Sequence, residues 1–126
     1  IIAGEIPSYK VYEDEHALAF LDIHPHAKGH TLVIPKVEAK TLLDLEQLDV
    51  ERLFVAVKKT MERIQEVLQP EGFNIGINHG EVGGQEIPHI HVHIFPRYLD
   101  DGGQNVHAIV DNDGQVPVEE IAKLFA

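Results

Sequence analysis

The heptapeptide His89-Ile90-His91-Val92-His93-Ile94-Phe95 alternates imidazole and apolar residues without a break. Side chains on a β-strand point alternately to its two faces, so this period of two predicts a strand. Ile90, Val92 and Ile94 turn to a core, and the three imidazoles share the opposite face. Alternate residues lie about 6.8 Å apart along a strand, which makes His89, His91 and His93 a row. Imidazole attacks electrophiles, moves protons and binds metals near neutral pH. A face turned only to solvent has no physical reason to carry it three times running.

The rest of the composition narrows the classes open to such a strand. At 126 residues the chain is expected to be one domain, spanning 1–126, with enough length for a real core. It is 44% hydrophobic and 25% charged, ordinary for a globular protein, and no apolar run approaches a membrane span. The 21 acids outnumber the 10 bases, for a formal charge of −11. No basic face for polymeric nucleic acid is visible. A small anionic substrate is still allowed, since a few donors in a cleft override the global field at short range. There is no cysteine, which fits a reducing compartment and points to a cytoplasmic location. The chain begins at Ile1 rather than Met, which leaves a preceding or removed segment open.

Strands are expected at Lys10 to Tyr12 and His16 to Ile23, with the acidic Glu13-Asp14-Glu15 as a hairpin turn. His24 to Gly29 reads as a loop and His30 to Ile34 as a third strand. A short helix is expected near Ala39 to Leu45. A longer one begins near Asp49, its expected N-cap, with Glu51 in the first turn. Leu53, Val57, Met61, Ile64 and Leu68 make one helical stripe, a core face, and Pro70 and Gly72 end the helix. Phe73 to Asn78 reads as a fourth strand, with Phe73, Ile75 and Ile77 facing the helix. Asn78 and Gly76 then fall on the histidine face, where Gly76 leaves room for a ligand. His79 to Pro88 is a glycine-rich loop, and the histidine strand is the fifth. Tyr98 to Gly114 reads as a loop with one extended piece at His107 to Val110, and Val118 to Phe125 as a terminal helix opened by Pro117. Strands flanking one long helix suggest an antiparallel α+β sandwich.

Of the nine histidines, His16 and His107 read as ordinary surface residues, and His24, His26 and His79 as loop residues at the rim of a site. The strand histidines admit two chemistries. Alternate imidazoles can grip one metal ion, with His30 as a further ligand, and a catalytic metal site needs three ligands and an open position. A nucleophile needs one neutral imidazole held in one tautomer near an anion-binding loop. Gly80, Gly83 and Gly84 offer such a loop just upstream, with backbone N–H groups free to turn toward phosphate oxygens.

His89 to Phe95 resembles the signature of the histidine triad (HIT) family of nucleotide hydrolases and transferases, which runs His-φ-His-φ-His-φ-φ with φ apolar. Asn78, Gly80, Gly84 and Gln85 match the segment that precedes it. Phe20-Leu21-Asp22-Ile23, Pro25, His30, Leu32-Val33-Ile34-Pro35-Lys36, and Ile1-Ile2 with Glu5-Ile6-Pro7 match further upstream. The resemblance covers Ile1 to Arg97 and leaves 98–126 as a C-terminal extension. Close likeness to the adenosine phosphoramidase branch implies a five-stranded antiparallel sheet with one long helix and short helices, the sheets of two subunits joining in a homodimer.

The resemblance also implies a mechanism. His91 attacks the α-phosphate of a purine nucleotide conjugate, and water hydrolyses the nucleotidyl-histidine that results. The carbonyl of His89 orients the nucleophile, His93 bonds a phosphate oxygen and His30 supports the triad. Gly84, the loop N–H groups and Gln85 stabilise phosphoryl charge. Asp22 accepts the ribose hydroxyls, Asn78 contacts ribose and phosphate, and Ile1, Ile6, Phe20 and Ile23 line an apolar purine slot. Crowded imidazoles oppose one another's protonation, which keeps a nucleophile available near pH 7. Many phosphoramidases carry Ser or Thr after the Gln to assist the leaving group. Here the residue is Glu86, a candidate substrate-site residue whose carboxylate would repel phosphate if turned inward and otherwise points to solvent or protonates the leaving group, which leaves the substrate class open. Some members carry a Cys-x-x-Cys zinc site near the N-terminus, absent from these residues. Neither metal nor cofactor is expected. A metal-dependent hydrolase and a nucleotide-binding scaffold are the alternatives.

Overall fold

Asp14 makes the first turn. Its Oδ1 accepts the backbone N–H groups of His16 at 2.7 Å and Ala17 at 2.9 Å, the side-chain-to-backbone bonding that favours Asp in turns. This folds β1 (Lys10–Glu13) antiparallel onto β2 (Ala17–Leu21) in a computed structural model that describes residues 9–112 and 114–126. The loop after β2 returns to β3 (Thr31–Pro35), closed by the Asp22 N–H donating to the His30 carbonyl at 2.9 Å. Helix α1 (Gln47–Leu68) follows, then β4 (Gly72–Gly76) and β5 (Val92–Arg97). The five strands form one antiparallel sheet in the order β1-β2-β3-β5-β4. A short helix α2 (Val118–Lys123) lies near the C-terminus, behind Pro117. The α+β class, the five strands and the single long helix are as the sequence implies.

The helical stripe finds its core. Leu53, Ala56, Val57, Thr60 and Ile64 of α1 are buried against Ala17, Ala19, Val33, Ile90, Val92 and Ile94, with Met61 and Leu68 half-buried at the edge. The start of α1 differs from expectation. Glu46 is the N-cap, and Asp49 lies inside the first turn, where a carboxylate still meets the positive end of the helix dipole. The helix ends at Gln69, in the left-handed region at φ 52°.

Two other elements are shorter and tighter than expected. The helix expected near Ala39 to Leu45 is a single 3-10 turn, Leu42–Asp44, tied by the Asp44 carboxylate to Thr41 N and Oγ1. The extended piece expected at His107 to Val110 is also a 3-10 turn, Val106–Ala108. There Asn105 Oδ1 caps the His107 N–H at 3.0 Å and bends the chain out of an extended path. Ile75 is a further correction: on the edge strand β4 it is 40% exposed rather than packed, while Phe73 and Ile77 do pack against the core.

The sheet's other face carries a smaller apolar cluster, Leu18, Phe20 and Ile34 with Leu32. The register lines up Phe20, Leu32, His93 and Gly76 across four neighbouring strands. His93 therefore lies on the face away from α1. Beyond β5, the Arg97 guanidinium grips both Asp101 oxygens at 2.7 and 2.9 Å, Asn74 Oδ1 at 2.6 Å and the Gln104 carbonyl, which pins the start of the C-terminal segment to the sheet. Among the described residues no helix is long and apolar enough to cross a membrane.

Candidate active site

The histidine strand enters the sheet later than its alternation suggests. The His89 N–H bonds back to the Ile87 carbonyl at 2.8 Å and the Ile90 N–H reaches the Ala39 carbonyl at 2.9 Å. These bonds take the chain to other partners, so the ladder starts at Val92 with β3 and at His93 with β4. Burial alternates from His89 onward all the same. The three rings are not one uniform row. His91 and His93 meet edge to face, centroids 4.9 Å apart, whereas His89 Nε2 donates to the Pro35 carbonyl at 3.2 Å.

His91 has one ring proton assigned by its neighbour. A carbonyl only accepts, so Nδ1, 2.8 Å from the His89 carbonyl, must be the donor. In the neutral ring Nε2 then carries the lone pair. His93 is held differently. Its Nδ1 lies 3.0 Å from Nε2 of His30, its ring stacks on Phe95 at 5.6 Å, and its own Nε2 is buried with no hydrogen-bond partner among the described residues. Burial, then the neighbouring His91 and His30, push His93 down to about 4 from the usual 6.5. Burial also lowers His30, which is 2% exposed, against the pull of Asp22. Both rings are thus neutral at pH 7.

The β2–β3 loop completes the cluster. The His26 backbone N–H donates to His30 Nδ1 at 3.2 Å, and the Asp22 Oδ2 lies 3.8 Å from that nitrogen. Asp22 Oδ1 accepts the His24 N–H at 2.9 Å. Asp22, His30 and His93 each offer an atom within 4.8 Å of the others, the spacing of a metal-ligand set. However, the facing nitrogens of His30 and His93 are already engaged with each other.

The glycine loop departs from the expected phosphate cradle. The N–H groups of Gly83, Gly84 and Gln85 donate inside the loop, to the carbonyls of Gly80, Glu81 and Gly80. The glycines serve the turn itself: Gly80 and Gly84 have φ of 76° and 97°, and a Cβ on Gly83 would overlap the His79 carbonyl. Gln85 is also turned inward. Its Oε1 accepts the Gly80 N–H at 2.9 Å and its Nε2 donates to the carbonyls of Lys40 at 2.7 Å and Ile87 at 3.0 Å. Both amide hydrogens are taken, so Gln85 fixes the loop instead of contacting a phosphoryl oxygen.

Asn78 stands against Gly84, its side chain 3.5 Å from where a Cβ would be. Gly76, opposite His93, has open space where a Cβ would stand. Glu86 is exposed and makes no hydrogen bond or ion pair among the described residues. Phe20 is buried with Leu18 and Ile34, and Ile23 is 62% exposed. Ile1 and Ile6 lie outside the described residues. The backbone groups that hold the cluster, the His26 N–H and the Pro35 and Lys40 carbonyls, left no signal in the sequence because every residue type supplies them.

Residues 3–100 match the HIT domain. The chain belongs to the HIT family. An uncharacterized HIT-like protein of Methanocaldococcus jannaschii is 50% identical over 102 residues, 81% of this chain and 78% of its own length. The adenosine 5'-monophosphoramidase of Schizosaccharomyces pombe is 37% identical over 106 residues, 84% of this chain and 77% of its own. A crystal structure of a HIT family protein from Bacillus anthracis superposes with a TM-score of 0.85 at 40% identity, covering 99% of this chain and 88% of that one. The HIT signature of this chain is the segment built around His91 and His93.

Proposed function

We propose that this HIT protein is a nucleotide hydrolase or nucleotidyl transferase that cleaves purine nucleoside monophosphate conjugates at the α-phosphate through a nucleotidyl-histidine. The observation that carries the reading is the 2.8 Å bond from His91 Nδ1 to the His89 carbonyl, which positions the imidazole and, in its neutral form, leaves the lone pair on Nε2. That lone pair forms the N–P bond as the bond to the leaving group breaks, and the leaving atom keeps the electron pair. Water then attacks phosphorus, the N–P pair returns to His91, and the proton released by water balances the one the leaving group takes up. The net change is hydrolysis.

The surrounding residues divide the binding. His93 Nε2 meets a phosphoryl oxygen, and His30 holds His93. Asp22 accepts ribose hydroxyls through the oxygen not bonded to His24. Asn78 and Gly84 border ribose and phosphate. Phe20 and Ile23, with Ile1 and Ile6, adjoin the purine. Glu86 faces the leaving group, and its free carboxylate favours an amine over a polyphosphate. Similarity to the monophosphoramidase supports adenosine phosphoramidates, and equal identity to a bis(5'-nucleosyl)-tetraphosphatase of Schizosaccharomyces pombe supports dinucleoside polyphosphates. The reading treats 1–126 as one domain with 98–126 as an extension. It includes a homodimer, supported by the exposed Phe54, Val55 and Val67 of α1 and Ile75 on the edge strand.

The test is turnover of a panel: adenosine phosphoramidate, a lysyl-AMP conjugate, diadenosine polyphosphates and a nucleotide sugar. His91→Ala should lose several orders of magnitude on the phosphoramidate. Full activity in that variant contradicts the reading. The cluster of Asp22, His30 and His93 favours one second reading, a metal-dependent hydrolase. That reading requires a chelator to abolish turnover and a stoichiometric ion in the active protein.

A further inference from the structure

A backbone amide has a proton to give and no lone pair to offer. The amide of His26 points at Nδ1 of His30, 3.2 Å away, so that nitrogen carries the lone pair. In a neutral imidazole the proton is then on Nε2, which lies 3.0 Å from Nδ1 of His93. His30 donates across that contact and His93 Nδ1 accepts. The single proton of His93 is thereby left on Nε2, the buried atom with no partner among the described residues. The opposite outcome holds just before the strand, where the His89 carbonyl keeps the proton of His91 on Nδ1.

We propose that His30 is a positioning residue that relays the direction of the His26 amide to His93, fixing as a neutral Nε2–H donor the ring that meets His91 edge to face. Two neighbouring imidazoles, His91 just before β5 and His93 on it, are thus set in opposite tautomers by backbone groups, without a carboxylate partner. The reversed arrangement would place a proton on His30 Nδ1 against the amide hydrogen of His26. Asp22 would not rescue it, since its Oδ2 is 3.8 Å away, beyond hydrogen-bond length. Double protonation of His30 is opposed by its burial and by the His26 ring that faces it, which outweigh the pull of Asp22.

The catalytic consequence rests on the proposed attack of His91 on phosphorus. An N–H fixed on the ring next to the attacking one meets the phosphoryl oxygen on which charge grows, and stabilises it without giving up its proton. A ring free to switch tautomer would present a lone pair to that oxygen part of the time and repel it.

Long-range proton–nitrogen correlation on the 15N-labelled full chain reads each ring directly. The wild-type protein at pH 7 should show the Nε2–H pattern for His30 and His93 and the Nδ1–H pattern for His91. His30→Gln keeps an N–H donor toward His93 and an oxygen for the His26 amide, so it should retain the His93 pattern and most of kcat. His30→Leu removes the donor at similar size. His93 should then show mixed tautomers, His91 should be unchanged, and kcat on adenosine phosphoramidate should fall roughly tenfold to a hundredfold with little change in KM. A wild-type His93 protonated on Nδ1 overturns the relay, as does an unchanged His93 pattern in His30→Leu. The spectra decide the relay whether or not His91 attacks phosphorus, so failure of the nucleophile reading shows in turnover alone.

Discussion

Gly76 faces His93 across the β4–β5 ladder, and the space a Cβ would take there is open. The glycine sits in ordinary extended backbone, so a side chain at this position is tolerated by the strand and intrudes only on what His93 faces. Gly76→Leu should keep the melting temperature within a few degrees and raise KM for adenosine phosphoramidate about tenfold. An unchanged KM would show that substrate does not reach this side of the imidazole.

Gln85 joins three backbone groups from two segments: the Gly80 N–H and the carbonyls of Lys40 and Ile87. Gln85→Ala leaves all three without that partner in a buried setting. The expected loss is about 1–3 kcal/mol in urea unfolding, with a fall in kcat as the loop loosens. A variant with full stability would mean that water replaces the amide at no cost.

Much of this architecture could be read from residue pattern, and the failures share one cause. The α1 stripe and the alternation from His89 to Phe95 depend on side-chain hydrophobicity, which the sequence displays. The late start of the β5 ladder, the inward glycine amides and the tautomer-setting contacts depend on backbone groups common to every residue. Gln85 looked like a phosphate ligand because its amide suits one equally well, and only the position of Lys40 shows otherwise. The extended reading of His107 to Val110 missed the bond from the His107 N–H to Asn105 Oδ1, which turns the segment into a 3-10 turn.

Gly29 takes φ 87°, and a Cβ there would overlap Leu68 Cδ1 and press Pro96 Cγ at 3.3 Å. Gly29→Ala should therefore destabilise the fold by about 2 kcal/mol, through left-handed strain together with crowding. Because His30 follows directly, kcat should fall as well. Denaturant midpoints and kinetics measured on one preparation check both.

Stability should depend on pH through His93 and His30. Both bind protons less readily folded than unfolded, His93 at about 4 against 6.5. The unfolded chain then binds more protons, so stability rises with pH. The contribution is fully present above 6.5 and is lost as pH falls from there toward 4. The melting temperature should drop across that window, and His93→Gln should flatten the drop. Glu13 and Asp101, whose ion pairs hold them below the usual carboxylate range, act at lower pH and leave this difference intact.

The most direct measurement is mass spectrometry of the protein quenched without acid during turnover of adenosine phosphoramidate. The account predicts an adenylyl adduct on the peptide carrying His91, absent in His91→Ala. Steady turnover with an unmodified His91 peptide at every time point would contradict it.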